Sequence, residues 1–374
     1  MKKILILKFP FSSLFGGGER HTLLLVEGLR KKGFDFFLVS SCPVLLREFR
    51  ARKWHARRAR VGLEPVSKGA LLMWPFTIVY TVLYLSLILS YYRFRKGVTA
   101  VYCLSLTEKI AATLPARMLG MRVYWAEHVT FERWLTKNPL RPLYRFLSRC
   151  ATVIAISAVI REQLTNVIGV PDRSVKLVYC GVDTSRFVMR ERRWEHAARF
   201  NVGCVARLES EKGIEYLLQA INIIREFVPS VRLIVVGEGS ERKKLVWLSE
   251  QLGLKEIIQW IGYQREVERW YGYFDAYVLP SVKRESFGVT LVEAMASGVP
   301  VVASKIGGTQ EIIDPGKTGL LAEPGSGRDL ADQLLYLYNN RSEAKEMALR
   351  ARVKVEERFS LERMERDFYL LFRK

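Results

Sequence analysis

One unit repeats along almost the whole chain: a short apolar run, then Gly, Pro or Ser, then a helix-length stretch with apolar residues at helical spacing. Runs this short, without alternation of polar and apolar residues, suit strands covered on both faces, and strands joined through helices lie parallel. The pattern predicts strands at Ile4–Leu7, Phe34–Val39, Ala100–Leu104, Arg122–Trp125, Thr152–Ala155 and Val175–Val178. A charged, poorly periodic linker follows at 188–199 (VMRERRWEHAAR). A second series is predicted at Phe200–Ala206, Arg232–Val236, Ile257–Ile261, Ala276–Leu279, Val299–Ala303 and Gly319–Ala322. At 374 residues the length suits two domains. The fold class expected is therefore α/β: two doubly wound, Rossmann-like parallel-sheet domains, 1–187 and 188–358, facing across a cleft, with ligands at the C-terminal ends of the strands.

The first strand leads into Gly16, Gly17 and Gly18, which open a helix. Amides at a helix start lack partners and carry the positive end of the dipole, so a glycine-rich turn there suits phosphate. A dinucleotide fingerprint is excluded: His21 stands where the third glycine belongs, and the second strand ends in Ser40 and Ser41 instead of an acid. A plain tight turn and a phosphate loop both remain open.

The most informative text is LPSVKRESFGVTLVEAMASGVPVVAS, residues 279–304. A strand ends at Leu279, Glu285 lies in the following loop, and a helix is expected from Ser286 or Phe287, with Ser286 as its cap. The amides of Phe287, Gly288, Val289 and Thr290 would then face an anion. Glu285 and Glu293 are eight residues apart, within about 80° of one another on a helical wheel. Two acids beside an anion site make sense as acceptors for hydroxyls, which a sugar and a ribose supply. Arg207, just past a strand, and Lys212, before Gly213, can converge on one diphosphate.

Together these residues resemble the retaining glycosyltransferases of family 4, with the GT-B fold. The resemblance runs through GGGER, AEH at 126–128, VIAISAVIREQL at 153–164, CGVDTSRF at 180–187, ARLESEKG at 206–213, VVGEGSER at 235–242, the 279–304 block, GGTQEII at 307–313 and GLLAEPG at 319–325. It implies that Glu285 and Glu293 are the paired glutamates of the E-x7-E motif, the first near the donor sugar and the second on the ribose. Arg207 and Lys212 would clamp the diphosphate, Gly16 and Gly17 would approach the phosphates, and His128 would face the donor sugar. It also implies transfer with retention, by a front-face route in which the leaving phosphate assists deprotonation of the acceptor, without metal or other cofactor. Residues 359–374 (FSLERMERDFYLLFRK) resemble the terminal helix that crosses back onto the first domain. Two residues depart from the pattern: Ala206 replaces the glycine before Arg207, and Cys180 replaces the asparagine before GVD. Relatives of this fold include sugar-nucleotide epimerases, the alternative reaction; for a phosphorylase, no pyridoxal lysine is found.

Charge bears on the partner. Lys and Arg number 59 against 38 Asp and Glu, a net +21. Arg47, Arg50, Arg52, Lys53, Arg57, Arg58 and Arg60 cluster before a 24-residue run without charge, Gly69 to Tyr92. That run is long enough to span a bilayer, but a span would place strands of one sheet on opposite sides of it. A helix apolar nearly all round should instead be buried on two sides, either wholly within the core or against core and lipid. The second option gives an anionic membrane surface as partner through 45–96, and a lipid-linked or glycan acceptor at the cytoplasmic face. Nucleic acid is not expected as a partner, since no groove of interleaved basic and aromatic residues is evident. The start MKKILIL lacks the apolar length of a secretory leader, and the five scattered cysteines lack metal-ligand spacing, in keeping with a reducing cytoplasm.

Overall fold

The computed structural model describes residues 2–10, 16–59, 61, 64–131, 133–189, 199–283 and 285–373. The chain divides into two compact units: Met1–Tyr179 with Met364–Lys374, and Cys180–Arg363.

The first unit carries a seven-stranded sheet in the order β3-β2-β1-β4-β5-β6-β7. Its strands are β1 Lys2–Lys8, β2 Phe34–Ser40, β3 His55–Arg58, β4 Ala100–Cys103, β5 Arg122–Glu127, β6 Thr152–Ala155 and β7 Val175–Leu177. The second unit holds six: β8 Phe200–Val205, β9 Val231–Val236, β10 Ile258–Gly262, β11 Ala276–Leu279, β12 Val301–Ser304 and β13 Leu320–Ala322, ordered β10-β9-β8-β11-β12-β13. Every pairing in both sheets is parallel. Strand order reverses between β1 and β4 and between β8 and β11, and such points open a crevice beyond the strand ends. The turn after β1 and the loops after β8 and β11 therefore sit where ligands bind in this class of fold.

The strand β3 was not expected. Four residues, HARR, three of them polar, pair with Phe37–Ser40 at the sheet edge, so the basic cluster is partly a strand. An edge strand needs only one buried neighbour, which is why no apolar run marks it. Trp54, just before it, packs edge-on against Phe49 at 5.2 Å, with the Arg30 and Arg52 guanidiniums over its ring.

The unit boundary also differs from 187/188. Residues 180–187 are stitched to the second unit: Val182 N–H donates to Phe359 O at 2.9 Å, and Leu361 N–H donates to Val182 O at 3.0 Å. Arg352 donates to the carbonyls of Thr184, Phe187 and Ala296, and the buried Phe187 ring meets Tyr271 at 5.7 Å. Most of the expected linker, 190–198, lies outside the described residues, as do Arg60 and Arg284.

The helix Leu361–Arg373 lies on the first unit from Met364 onward. Phe372 packs edge-on against Tyr124 and Tyr102 at 4.8 and 5.8 Å, Phe368 against Tyr102 and His21, and Glu365 pairs with Lys32 at 2.8 Å.

The apolar run forms one helix, Lys68–Lys96, capped by Ser67 and stopped by Gly97 in the left-handed conformation. Its ends return to one sheet, because β1 pairs β4 from Ile4↔Ala100 onward. Burial wholly within the core is not what the helix shows. Only 17% of its apolar window is buried. Leu85, Ile88, Leu89 and Tyr92 face the protein, whereas Leu72, Met73, Phe76, Val79, Tyr80, Leu83, Leu87 and Phe94 are exposed. Thr81 and Ser86 return their hydroxyls to the carbonyls of Thr77 and Val82, so little polarity is presented outward.

Candidate functional site

In the second unit three loops converge. The first follows β8 and ends in the turn Ser210–Lys212; Gly213, at φ 62, caps the helix Ile214–Ile224. A Cβ on Gly213 would stand 2.2 Å from Pro280 O, so only glycine lets the loop after β11 lie against it. Val282 N–H and Lys283 N–H both donate to Glu211 O, at 2.9 and 3.3 Å, closing the two loops together. The third loop, after β12, fixes Glu285: Gly308 N–H donates to Glu285 O at 2.9 Å, and a Cβ on Gly307 would come within 2.0 Å of that carbonyl. The VVGEGSER segment braces the first loop from behind through Leu208 N–H to Glu238 O and Ser240 Oγ to Glu209. Gly237 and Gly239 thus belong to the strand-to-helix bend.

This frame brings Glu285 and Lys212 together. Glu285, 8% exposed, accepts from Lys212 Nζ at 2.8 Å and from Ser281 Oγ at 2.9 Å. Arg207 stands at the other end of the same loop, half-exposed, paired with Glu211 at 3.0 Å. Each expected diphosphate ligand is thus held by a carboxylate.

The helix after Glu285 begins later than expected. It runs Val289–Ala296 from Gly288, at φ 100, and Ser286 is not its cap. Glu285 lies ahead of the helix, so helical spacing does not relate it to Glu293; loop packing places it. Among the described residues, the amides of Gly288, Val289 and Thr290 have no hydrogen-bond partner. Phe287 puts its ring in the core, against Phe359 at 5.5 Å. Glu293 is 1% exposed and accepts from Tyr271 OH at 2.9 Å; that hydroxyl also reaches Thr290 O, and Tyr277 OH donates to Thr290 Oγ1 at 2.8 Å. Burial pushes the thiols of Cys180 and Cys204 up to about 12, so both stay protonated and neither is a nucleophile.

In the first unit the glycine turn is occupied by its own side chain. Gly16 N–H donates to Glu19 Oε2 at 3.1 Å, and Glu19 pairs with Lys8 from β1. Gly17 faces open space, while Gly18 backs onto the His128 ring, 3.8 Å from where a Cβ would be. His128 directly follows β5. The residue before it, Glu127, is buried with Lys109 at 2.7 Å and accepts from Tyr144 OH at 2.6 Å; Lys109 also donates to Ala126 O. A paired, hydrogen-bonded buried charge of this kind fixes the strand end that carries His128.

His128 Nε2 lies 3.1 Å from His21 Nδ1, a partner the sequence did not announce. Burial pushes His21 down to about 4; burial, then His21, Lys8 and Lys109, hold His128 well below the ordinary range. Both rings are neutral at pH 7, so one nitrogen of the pair must donate to the other. His21 Nε2 is buried without a partner. A buried N–H left unpaired is rarer than an unpaired acceptor, which favours His21 donating from Nδ1 and His128 carrying its proton on Nδ1. The one clue in the sequence was that His21 broke the third-glycine rule. Among the described residues no three His, Cys, Asp or Glu side chains gather as metal ligands.

Comparison with known proteins bears on both units. Residues 15–186 match the family model described as Glycosyltransferase Family 4, and residues 190–354 match Glycosyl transferases group 1. An uncharacterized glycosyltransferase of Methanocaldococcus jannaschii is 32% identical over 192 residues, 48% of each chain, so the match spans about half the length of that relative. The N-acetyl-alpha-D-glucosaminyl L-malate synthase of Bacillus anthracis is 27% identical over 72% of each chain. Among solved structures, an Anabaena protein in complex with UDP superposes with TM-score 0.81 at 20% identity, covering 99% of both chains; at that identity the likeness speaks to fold.

Proposed function

This chain belongs to the GT-B glycosyltransferases of family 4, and from that premise we propose that it moves a sugar, with retention, from a nucleoside-diphosphate sugar to a glycan or lipid-linked acceptor. The setting is assembly of a cell-surface polysaccharide or lipopolysaccharide at the cytoplasmic face of the membrane. The observation that carries the reading is the meeting of Lys212, Glu285 and three unpartnered helix-start amides at one strand-order reversal.

When a diphosphate arrives, Lys212 exchanges Glu285 for phosphate oxygens and Arg207 exchanges Glu211. The amides of Gly288, Val289 and Thr290 add donors that need no proton transfer. Glu285, released from the lysine, accepts from a hydroxyl of the donor sugar, and Glu293 accepts from the ribose. His128, neutral, donates to another sugar hydroxyl. The bond from the anomeric carbon to the phosphate oxygen breaks, the acceptor oxygen attacks the same face, and its proton passes to the departing phosphate. Positive charge from Lys212, Arg207 and the amides offsets the charge that develops there, so no metal is assigned a role.

The exposed apolar face of Lys68–Lys96, with Arg93, Arg95 and Lys96 in its last turn, is assigned to an anionic lipid surface. Such a helix lies in the interface with its apolar face down, while the sheet stays on one side.

Three measurements test this. Thermal-shift screening against UDP-, GDP-, ADP- and dTDP-sugars should show one class raising stability by mass action; silence from all four ends the enzyme reading. Nucleoside diphosphate release that requires an acceptor identifies transfer, whereas interconversion of the donor sugar without acceptor identifies an epimerase. Sedimentation with phosphatidylglycerol vesicles, lost in Leu72→Ser/Phe76→Ser, tests the membrane assignment by itself.

A further inference from the structure

The opposite end of the first sheet holds a feature that the transfer reaction does not use. A cavity of about 220 Å³ is lined by Arg117, Arg122, Arg149, Tyr124, Cys150 and Thr152, with Val123 and Ala151. It lies where β5 and β6 begin, whereas His128 follows the end of β5. Three guanidiniums line it, and no carboxylate does. Among the described residues none of the three arginines has an ion pair or a side-chain hydrogen bond, and Arg122 Nη1 is buried without a partner. Guanidinium stays charged at any working pH, so this is positive charge brought together with nothing to offset it. Lys2 adds to the field: burial first, then Arg122 and Arg373, draw its pKa down.

We propose that this cavity binds a phosphate group, with Arg117, Arg122 and Arg149 as its ligands. Planar guanidiniums match phosphate oxygens two at a time, and the volume suits a phosphate head, being below the usual range for a drug-sized ligand. The cavity also adjoins the lipid-facing helix. Arg93, in the last turn of Lys68–Lys96, donates from Nε to Leu119 O at 3.1 Å, in the turn after Arg117. Phe94 and Met118, beside these residues, are 74% and 87% exposed. The phosphate can therefore be a lipid headgroup presented at the bilayer or a free anion. The inference goes beyond sugar transfer and does not require it.

Cys150 supplies the readout, because it is half-buried in the lining while Cys42, Cys103, Cys180 and Cys204 are buried. The full chain is labelled with N-ethylmaleimide, a neutral reagent, at constant ionic strength set with chloride. Inorganic phosphate, phosphatidylglycerol vesicles or phosphatidylcholine vesicles are then added. Protection of Cys150 by phosphate identifies a free-anion site; protection by phosphatidylglycerol vesicles alone identifies a headgroup site. In Arg122→Gln/Arg149→Gln protection should weaken about tenfold, and Arg149→Gln, on an exposed turn, serves if the double variant does not fold. Unchanged labelling with phosphate and with phosphatidylglycerol, equal protection by phosphatidylcholine, or protection undiminished in the variants overturns the proposal. Sugar-nucleotide binding does not enter this readout, so the transfer reading can fail without it.

Discussion

Two of the helices that start at a glycine, at Gly16 and Gly288, have a glutamate three residues from the cap, and only one of the two is left open. At Gly16 the nearest carboxylate, Glu19, folds back onto the helix's own amide and takes Lys8 with it. At Gly288 the carboxylate three residues before it, Glu285, is turned to Lys212 and Ser281, and the amides of Gly288, Val289 and Thr290 stay unpartnered. Glycine permits a backbone to meet an anion. What decides the matter is where the adjacent acid spends its charge: a capping-box glutamate closes the site, and a lysine-bound one keeps it vacant while storing a cation beside it.

The comparison can be broken most forcefully at Lys212. Lys212→Ala should lower kcat/KM by 10²-fold or more, on the order of 3 kcal/mol of transition-state stabilisation, measured by nucleoside diphosphate release; activity within a few-fold of wild type would remove Lys212 from the reaction. Glu285→Gln sharpens it by freeing the lysine without removing it. Binding of the nucleoside diphosphate should tighten while kcat falls about tenfold, a split that titration and kinetics resolve.

The first helix start answers to pH instead. His21 has a folded pKa near 4 against an ordinary 6.5. Between those values the unfolded chain binds a proton that the folded chain does not, so stability is full above pH 6.5 and falls as pH drops toward 4. From pH 7 to pH 5 the loss from this ring is about 2 kcal/mol, and denaturant unfolding of His21→Phe should show a shallower slope than wild type by that amount. An equal slope in both proteins would place the pH sensitivity elsewhere. Smallest is Glu19→Gln, which weakens the cap and should cost about 1 kcal/mol of stability while leaving the thermal shift produced by nucleoside diphosphate unchanged. If that shift collapsed, the first turn would be part of the anion site after all.

Much of this was legible in the sequence because the same punctuation serves fold and site. Gly, Pro and Ser after nearly every apolar run helped mark twelve strands, and the loops after two of them hold Arg207, Lys212 and Glu285. What escaped had a physical reason in each case. The strand His55–Arg58 has no apolar signature because it is an edge. The helix after Glu285 starts at Val289 because Gly288 takes a left-handed conformation, which glycine permits but does not require. The boundary moved to Cys180 because Arg352, far along the chain, ties down 184–187. His21 looked like a defect in a motif; its worth depends on the ring of His128, brought to it by tertiary packing. The helix Lys68–Lys96 has apolar composition in every direction, and composition cannot say which faces the fold will cover.

The helix Leu361–Arg373 closes the first sheet's core with Phe368 and Phe372, yet it leaves the ribosome only after the entire second unit. Vectorial synthesis therefore releases a first unit with an open seam over Tyr102 and Tyr124, and offers the second unit the chance to finish first, against the usual N-terminal order. A nascent chain halted before Met364 would carry that greasy seam uncovered, so the first unit's core is completed only by residues made after the second unit.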